Sequence, residues 1–284
     1  MITEEIRVQV NGIELVVKQW GNSKLPKIIA LHGWLDNAAS YDRLAPVLLR
    51  HCVVALDFAG HGYSSHRPEG VRYHMIDNVD DVIGLADVLG LQQFILMGHS
   101  MGAGIATLIA GSFPERVSKL VLIEGIGSHT NTARSAPRVL RKAVEDMKNS
   151  TFKCKPVYKT LDDAIHSRAH AINEISVGAS TLICNRGLMP TEEGFTWRYD
   201  PRLKMSSAIR LTEDMVTAYL KSLTMSVLLV RGRHSSFATD QSLQDRADKI
   251  LDCQQVLLDG NHHLHLELET FGMVGEVVNS FLAV

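Results

Sequence analysis

The chain has 284 residues, of which 45% are hydrophobic and 21% charged, an ordinary composition for a globular protein with a sizeable core. Its formal net charge of −2 argues against nucleic acid or an anionic membrane as a partner. No apolar run reaches the ~18 residues that a membrane span needs, and the start, Met1 to Glu5, lacks the apolar stretch of a signal peptide. We therefore expect a cytoplasmic protein with no nucleic-acid partner and no membrane span.

The four cysteines are far apart in the sequence and form neither a C-x-x-C pair nor a zinc-type spacing. They are Cys52, Cys154, Cys184 and Cys253. Two of them, Cys52 and Cys253, begin apolar runs that are typical of strands. We therefore expect these two to be reduced cysteines of the core.

In the first part of the chain, apolar strand-like runs alternate with helical patterns. Asn11-Gly12, between the first two runs, suits a tight hairpin turn. The predicted strands are Ile6–Val10, Ile13–Trp20, Lys27–Leu31, Cys52–Phe58, Phe94–Met97 and Lys119–Ile123. The predicted helices are Tyr41–Leu49, Ala103–Ala110 and Met75–Leu89, the last with an outer face of Asp77, Asp80, Asp81 and Asp87. Such an alternation predicts a mostly parallel sheet with helices on both faces.

After Glu124 this alternation stops, and it resumes only near the C-terminus. The elements predicted there are the helices Arg138–Met147, Leu161–Val177 and Glu267–Leu282 and the strands Ser226–Val230 and Gln255–Leu258. Residues 128–212 are polar and arginine-rich and show no buried strand. Because strands flank them on both sides, we predict that they form a helical cap inserted into a core of residues 1–127 and 213–284.

Four polar residues directly follow predicted strands, namely His32, Asp57, Ser100 and Glu124. Parallel strands end at the same edge of their sheet, and ligands bind at that edge. We therefore expect these four side chains to lie on one rim, which makes them a candidate site.

Ser100 lies at the centre of the motif Gly98-His99-Ser100-Met101-Gly102. A G-x-S-x-G motif between a strand and a helix is typical of a nucleophile elbow, in which a strained turn holds the serine hydroxyl out of the fold. Gly98 and Gly102 lack a Cβ atom, so the strand and the helix can approach each other closely. We predict that Ser100 is a nucleophile.

A serine nucleophile needs a base, which is expected after the last strand. Three histidines lie there, His262, His263 and His265. We predict that His262 is the base, and the other two are the alternatives. The cluster also suggests a metal, yet no carboxylate or cysteine set elsewhere completes a site, and His166 and His170 lack the Glu of H-E-x-x-H. We expect neither a metal nor a cofactor.

The acid that orients the base has two candidates. The loop after the strand Ser226–Val230 holds no carboxylate before Asp240. Glu124 ends the preceding strand on the expected rim, where a buried carboxylate needs a partner such as His262. We predict Glu124 as the acid and keep Asp240 as the alternative.

Two backbone N–H donors are expected around the oxygen that becomes negative during the reaction. Met101 begins the helix after Ser100 and supplies one of them. Trp34, in the loop after the third strand, is the natural second donor of this oxyanion hole. We interpret the loop from Asp57 to Gly62 as a structural turn beside the site, tied by hydrogen bonds to Asp57.

Together these motifs resemble those of the α/β-hydrolases, and among them the serine hydrolase-like proteins. The segments that carry the resemblance are residues 32–38 (HGWLDNA), 57–66 (DFAGHGYSSH), 98–102 and 262–267. It covers the core on both sides of the insertion and is weak inside it. The resemblance implies an α/β-hydrolase fold, with a mostly parallel eight-stranded sheet, helices on both faces and an inserted helical cap.

The resemblance also implies roles for single residues. Ser100 corresponds to the nucleophile, and His262 to the base, which in the family stands five residues before a Glu or Asp, here Glu267. Trp34 and Met101 correspond to the oxyanion-hole donors. The commonest family pattern has an acid after the strand that here ends at Gly232, and this chain lacks it. Haloalkane dehalogenases place it after the preceding strand, as Glu124 would be, but they and the epoxide hydrolases use an aspartate nucleophile, which Ser100 disfavours.

We therefore predict a serine hydrolase of the carboxylesterase type, a monomer or homodimer, that cleaves an ester or related acyl bond of a small molecule through an acyl-enzyme. Alternatives on the same triad are a lactonase, a thioesterase, a carbon–carbon bond hydrolase and a perhydrolase. A different alternative is a non-catalytic ligand-binding receptor on this fold. The cap arginines either suit an acidic substrate or are surface charges; they are Arg134, Arg138, Arg168, Arg186 and Arg198.

Overall fold

The computed structural model of the protein describes residues 3–148, 155–171 and 173–283, so Cys154 lies outside the described residues. The strands are, in chain order, β1 (Thr3–Val10), β2 (Ile13–Trp20), β3 (Lys27–Leu31), β4 (Cys52–Asp57), β5 (Phe94–His99), β6 (Val117–Ile123), β7 (Val157–Tyr158), β8 (Leu188–Thr191), β9 (Gly194–Trp197), β10 (Val227–Gly232) and β11 (Cys253–Leu258). The α-helices are α1 (Asp77–Val88), α2 (Met101–Ser112), α3 (Ala136–Lys148), α4 (Leu161–Ala169), α5 (Val177–Gly187), α6 (Glu213–Lys221), α7 (Gln241–Ala247) and α8 (Phe271–Ala283).

The main sheet has eight strands in the order β1-β2-β4-β3-β5-β6-β10-β11. β2 runs antiparallel to both β1 and β4, and the other neighbouring strands are parallel. Asn11 (φ 50°) and Gly12 (φ 83°) adopt the left-handed conformation that the tight hairpin turn requires. The predicted hairpin and the mostly parallel eight-stranded sheet are confirmed.

Both faces of the sheet are covered, because successive side chains of a strand point to opposite faces. On β3, Ile29 and Leu31 pack into the cluster that also contains residues of α1 and α2. Ile28 and Ala30 point the other way, into the cluster that contains residues of α8. Burial on both faces explains why the parallel strands read as unbroken apolar runs.

The segment between β6 and β10 carries α3 to α6 and a second sheet, which is antiparallel with the order β7-β9-β8. A separate apolar cluster lies mainly within this segment and includes Ile165, Ile183 and Trp197. The sequence pattern indicated helices here but not this sheet. Its strands span only two to four residues, too short for a period-2 pattern to be recognised.

Two arginines of this segment bind residues at the rim of the main sheet. Arg186 of α5 donates from Nε to both carboxylate oxygens of Asp57, at 3.0 and 2.9 Å, and also pairs with Glu5 of β1. Arg168 of α4 donates to Asp36, in the loop after β3, at 3.1 Å. These ion pairs hold the segment against the edge where the parallel strands end.

Two of the predicted helices are wrong. Instead of a helix over Tyr41–Leu49, the chain forms two short 3-10 turns, Ala38–Tyr41 and Ala45–Val47. Pro46 is the second residue of the latter, where its missing N–H and its effect on the preceding residue oppose an α-helix. The predicted helix Leu161–Val177 is divided between α4 and α5. Ser176 caps the start of α5 by accepting a hydrogen bond from Ala179 N at 3.1 Å.

Asp81 was predicted on the outer face of α1, and that placement is also wrong. Its side chain is buried and pairs with Arg67 at 2.7 Å. Asp81 and Val82 are both buried residues of α1. A carboxylate is tolerated at this buried position because the Arg67 guanidinium pairs with it.

The cysteines of the described residues are free, as expected for Cys52 and Cys253. Cys52 and Cys184 are buried and Cys253 is half-buried. Among the helices that the structure describes, none has the length and apolar character to cross a membrane.

Candidate active site

Ser100 sits at the turn between β5 and α2 with φ 53° and ψ −114°, a conformation that non-glycine residues rarely adopt. Its N–H donates to the carbonyl of Ile123 at 2.9 Å, which fixes the turn against the neighbouring strand. Gly98 and Gly102 are required here, because a Cβ on Gly98 would overlap the Gly102 backbone and one on Gly102 would overlap the Leu31 carbonyl. The predicted strand–turn–helix context of Ser100 is confirmed.

His262 and Glu124 form a buried pair, with His262 Nδ1 at 2.9 Å from Glu124 Oε2. Glu124 directly follows β6 and has φ 54°, so the backbone turns sharply at this residue. A carboxylate can only accept, so Nδ1 carries the proton. The lone pair of His262 is then on Nε2, the nitrogen that a base would use.

The loop after β10 supplies further donors to Glu124. Gly232 N donates to Oε1 at 2.5 Å, and Ser235 Oγ donates to Oε2. Asp240, the alternative acid, instead caps α7 and accepts from Ser242 N at 2.9 Å and from Ser242 Oγ at 2.7 Å. The structure therefore brings Glu124 to His262 and gives Asp240 a different set of partners.

The histidine loop is tied to the elbow by His99, the residue before Ser100. His99 Nε2 lies 2.8 Å from the carbonyl oxygen of His262, and the ring of Phe237 lies 5.2 Å from that of His262. In the described part of the chain, the Ser100 hydroxyl has no hydrogen-bond partner. Ser100, Glu124 and His262 thus lie on adjoining loops at one end of the sheet.

The two alternative bases have other surroundings. His263 Nε2 contacts Asp36 Oδ2 at 3.1 Å. His265 is fully buried, and neither of its ring nitrogens has a hydrogen-bond partner within the described ranges. Burial, together with neighbouring histidines, lowers the pKa of His265 well below its ordinary value. Glu267, five residues after His262, accepts from Ser176 N at 2.8 Å and so connects the loop to α5.

Sequence reasoning missed two residues of this region, Asp36 and Ser235. Asp36 lies with His99 and His263 in a buried group whose potential metal donor atoms are all within 4.8 Å of one another. The sequence argument was that no carboxylate or cysteine set elsewhere completes a site. It did not recognise Asp36, because Asp36 is 227 residues from His263. Ser235 could have been found from the missing acid in the loop after β10. A hydroxyl in that loop can still donate a hydrogen bond to an acid that follows the neighbouring strand.

The predicted oxyanion-hole residues lie beside the elbow. The start of α2 packs so closely on the loop after β3 that a Cβ on Gly102 would come within 2.7 Å of the His32 carbonyl oxygen. Within residues 3–148, 155–171 and 173–283, the backbone N–H groups of Trp34 and Met101 have no protein acceptor. The Trp34 side chain donates to the carbonyl of Leu203 at 3.2 Å.

The loop after β4 is structural, as the sequence predicted. Asp57 accepts from Ala38 N at 2.7 Å and from Tyr63 N at 2.8 Å, in addition to its contact with Arg186. His61 Nδ1 lies 3.2 Å from Ala59 O, and its Nε2 accepts from Leu35 N at 3.3 Å. This turn orients the rim and leaves no carboxylate oxygen of Asp57 for chemistry.

Two buried histidines of the rim should make stability depend on pH. Burial lowers the pKa of His32 to about 4 and that of His61 to about 3. Each Nε2 accepts from a backbone N–H, so protonation would set two donors against each other. Because both folded pKa values lie below the unfolded value of about 6.5, this stability is complete above that pH and is lost as the pH falls. We expect a loss of about 2 kcal/mol for each histidine between pH 7 and pH 5.

Urea unfolding at pH 7 and pH 5 measures this loss. His61→Asn removes one titrating group, so its free energy of unfolding should fall less between the two pH values than that of the wild type. Equal falls in the two proteins would exclude His61 as a source of the pH dependence.

The five arginines named above, which lie in residues 128–212, mostly have structural partners. Arg168 and Arg186 pair with buried aspartates, and Arg198 lies over the Tyr63 ring at 4.9 Å. Arg134 and Arg138 are exposed to solvent. Three of the five arginines that could have recognised an acidic substrate are therefore engaged within the protein.

The sheet order, the strained serine turn and the histidine–glutamate pair are those of an α/β-hydrolase. The family model for the alpha/beta hydrolase fold matches residues 26–268. The chain belongs to this family, and the resemblance inferred from the sequence motifs is confirmed.

Individual relatives agree with this assignment. A serine hydrolase-like protein of Dictyostelium discoideum is 31% identical over 93% of this chain and 78% of its own length. A serine hydrolase-like protein of Mus musculus is 29% identical over 98% of this chain and 95% of its own length. The crystal structure of a hypothetical protein from Pseudomonas aeruginosa PAO1 is similar with a TM-score of 0.96, at 40% identity, and covers 99% of this chain and 100% of that one. The family and the names of these relatives support a hydrolase.

Proposed function

We propose that this protein is a cofactor-free serine hydrolase that cleaves a carboxylic ester or a related acyl bond through an acyl-enzyme. The observation that carries the proposal is the buried contact of 2.9 Å between His262 Nδ1 and Glu124 Oε2 beside the strained turn at Ser100. Ser100 is the nucleophile, His262 the base and Glu124 the acid. Residues 128–212 form the cap over this site.

The chemistry follows from the tautomer of His262. Its Nε2 lone pair accepts the proton of Ser100 as Oγ attacks the carbonyl carbon, and Glu124 stabilises the imidazolium that results. The Nε2 proton then passes to the leaving alcohol, which departs and leaves the acyl group on Oγ. A water molecule that His262 deprotonates attacks the acyl-enzyme, and Oγ leaves with the proton.

The negative oxygen of the tetrahedral intermediate would bind the N–H groups of Trp34 and Met101. The support for this assignment is that neither N–H has a protein acceptor in the described residues. Donors held in place before the reaction stabilise charge without reorganisation, which is why such N–H groups contribute strongly to catalysis.

The hydrogen bonds from the Ser235 side chain and the Gly232 backbone support the assignment of Glu124 as the acid. With His262 they give its carboxylate three donors, so one rotamer is held in the interior. An ionised carboxylate that is fixed in this way keeps the proton of His262 on Nδ1 throughout the cycle. Ser235 is accordingly a positioning residue.

Labelling with a fluorophosphonate probe tests the proposal, because such probes react with activated serines. We expect the wild type to be labelled and to hydrolyse a p-nitrophenyl ester, and Ser100→Ala to lose both properties. Ser112→Ala, at the exposed end of the same helix, is the matched control and should behave like the wild type. Labelling of Ser100→Ala at the wild-type level would refute the proposal, and an unlabelled, folded wild type would favour a ligand-binding receptor.

A further inference from the structure

Behind the proposed triad lies a group of three potential metal ligands, Asp36, His99 and His263. They come from the loop after β3, the end of β5 and the loop after β11, and all three are buried. One donor atom of each lies within 4.8 Å of those of the other two. We propose that these residues form a binding site for a divalent transition-metal ion such as Zn²⁺.

His99 is already oriented as a metal ligand would be. Its Nε2 faces the carbonyl oxygen of His262 at 2.8 Å, and a carbonyl only accepts, so the proton is on Nε2. The lone pair is therefore on Nδ1, which is buried and has no hydrogen-bond partner in the described part of the chain. Histidines that bind metals usually donate their second ring N–H to a carbonyl or carboxylate in this way.

Gly33 keeps the space beside these donors open. A Cβ atom on Gly33 would lie 3.1 Å from His99 Nδ1 and 3.3 Å from Asp36 Oδ2. Both distances are shorter than an ordinary van der Waals contact, so a larger residue would compete with any ligand for this volume. The glycine therefore leaves two of the three donors accessible from the same side.

One of the two histidine donors must change its tautomer to bind a metal ion. The Asp36 carboxylate accepts from Arg168 Nη2 at 3.1 Å and from His263 Nε2 at 3.1 Å. On metal binding the proton of His263 moves from Nε2, now 3.1 Å from Asp36, to Nδ1.

This donor set suits zinc. Two imidazoles and one carboxylate leave a fourth tetrahedral position for water, a common arrangement for Zn²⁺. Bond lengths of about 2.0–2.1 Å require the three donor atoms to move somewhat closer together than they are. The donors lie on loops and at a strand end, where small adjustments are possible.

Arg168 is a competitor that is already present. Its Nη2 atom lies 3.1 Å from Asp36 Oδ1 and 3.4 Å from His263 Nε2, so the guanidinium occupies the place of a cation. A metal ion would have to displace it. Arg168 belongs to α4 of the cap, and its side chain is 13% exposed, so it can move from the site into solvent. Metal binding would thus break the contact of Arg168 with Asp36, next to His262, and inhibit hydrolysis. The expected inhibition rests on the proposed function, whereas the expected metal binding does not.

Competition with a chromogenic chelator for Zn²⁺, on the full chain, tests the site. We expect His263→Gln to weaken binding at least tenfold and Arg168→Met to tighten it at least tenfold, because the competing charge is gone. His170→Gln is the matched control, since His166 and His170 form an exposed i,i+4 histidine pair outside the proposed site. This variant should keep the wild-type affinity.

Binding that is unchanged in His263→Gln, or lost in His170→Gln, would overturn the proposal. Circular dichroism establishes whether each variant is folded. If His263→Gln does not fold, Arg168→Met still tests the site, because the absence of tighter Zn²⁺ binding in that variant would also refute the proposal. Zn²⁺ inhibition of ester hydrolysis is measured separately. If Ser100 is not catalytic the inhibition assay has no signal, but the binding results remain.

Discussion

Glu124→Gln is expected to lower kcat for ester hydrolysis about 10⁴-fold, the loss seen when the acid of a serine triad becomes an amide. The Gln side chain has nearly the same shape, but its NH₂ group can donate to His262 Nδ1, whereas the carboxylate accepts from it at 2.9 Å. The imidazole proton would then lie on Nε2, where the proton of Ser100 must be accepted. Steady-state kinetics with a p-nitrophenyl ester measures the effect, and thermal unfolding shows that the variant is folded.

Asp240→Asn is the matched control, because it removes the same charge from the alternative acid. Its carboxylate caps α7, and Asn caps a helix about as well as Asp, so we expect kcat within a factor of about two of the wild type and little change in stability. The reverse pattern, with Glu124→Gln active and Asp240→Asn inactive, would transfer the role of the acid to Asp240.

Arg186→Met is expected to destabilise the protein by about 3–5 kcal/mol, because removal of one partner from a buried ion pair leaves an uncompensated charge. Asp57 is fully buried and contacts Arg186 Nε with both oxygens, at 3.0 and 2.9 Å. Its remaining donors, the N–H groups of Ala38 and Tyr63, do not neutralise it. Urea unfolding at pH 7 measures the change.

Two further variants separate the charge effect from lost packing. Arg198→Met loses a similar stacking contact with Tyr63 but leaves no buried carboxylate, so we expect a loss of less than about 1 kcal/mol. Adding Asp57→Asn to Arg186→Met should recover part of the stability, because the unpaired charge is removed. If Arg198→Met and Arg186→Met cost the same, the ion pair with Asp57 is not what stabilises the contact of α5 with the main sheet.

Local patterns in the sequence were enough to predict the sheet and the elbow. Unbroken apolar runs such as Cys52–Asp57 identify strands that are buried on both faces, and Asn11-Gly12 identifies the hairpin. The glycines around Ser100 identify the elbow, because only residues without a Cβ allow β5 and α2 to approach so closely. These features depend on neighbours in the chain and can be read without the fold.

Contacts between distant residues were decided by the tertiary structure. The sequence favoured Glu124 over Asp240 only by its place at a strand end, whereas the contact with His262 joins residues 138 positions apart. Asp36, the short strands β7, β8 and β9 and the burial of Asp81 gave no local signal. A carboxylate has the same sequence signature whether it is solvated or buried against a histidine or an arginine, and the partner that permits its burial is chosen only when the chain folds.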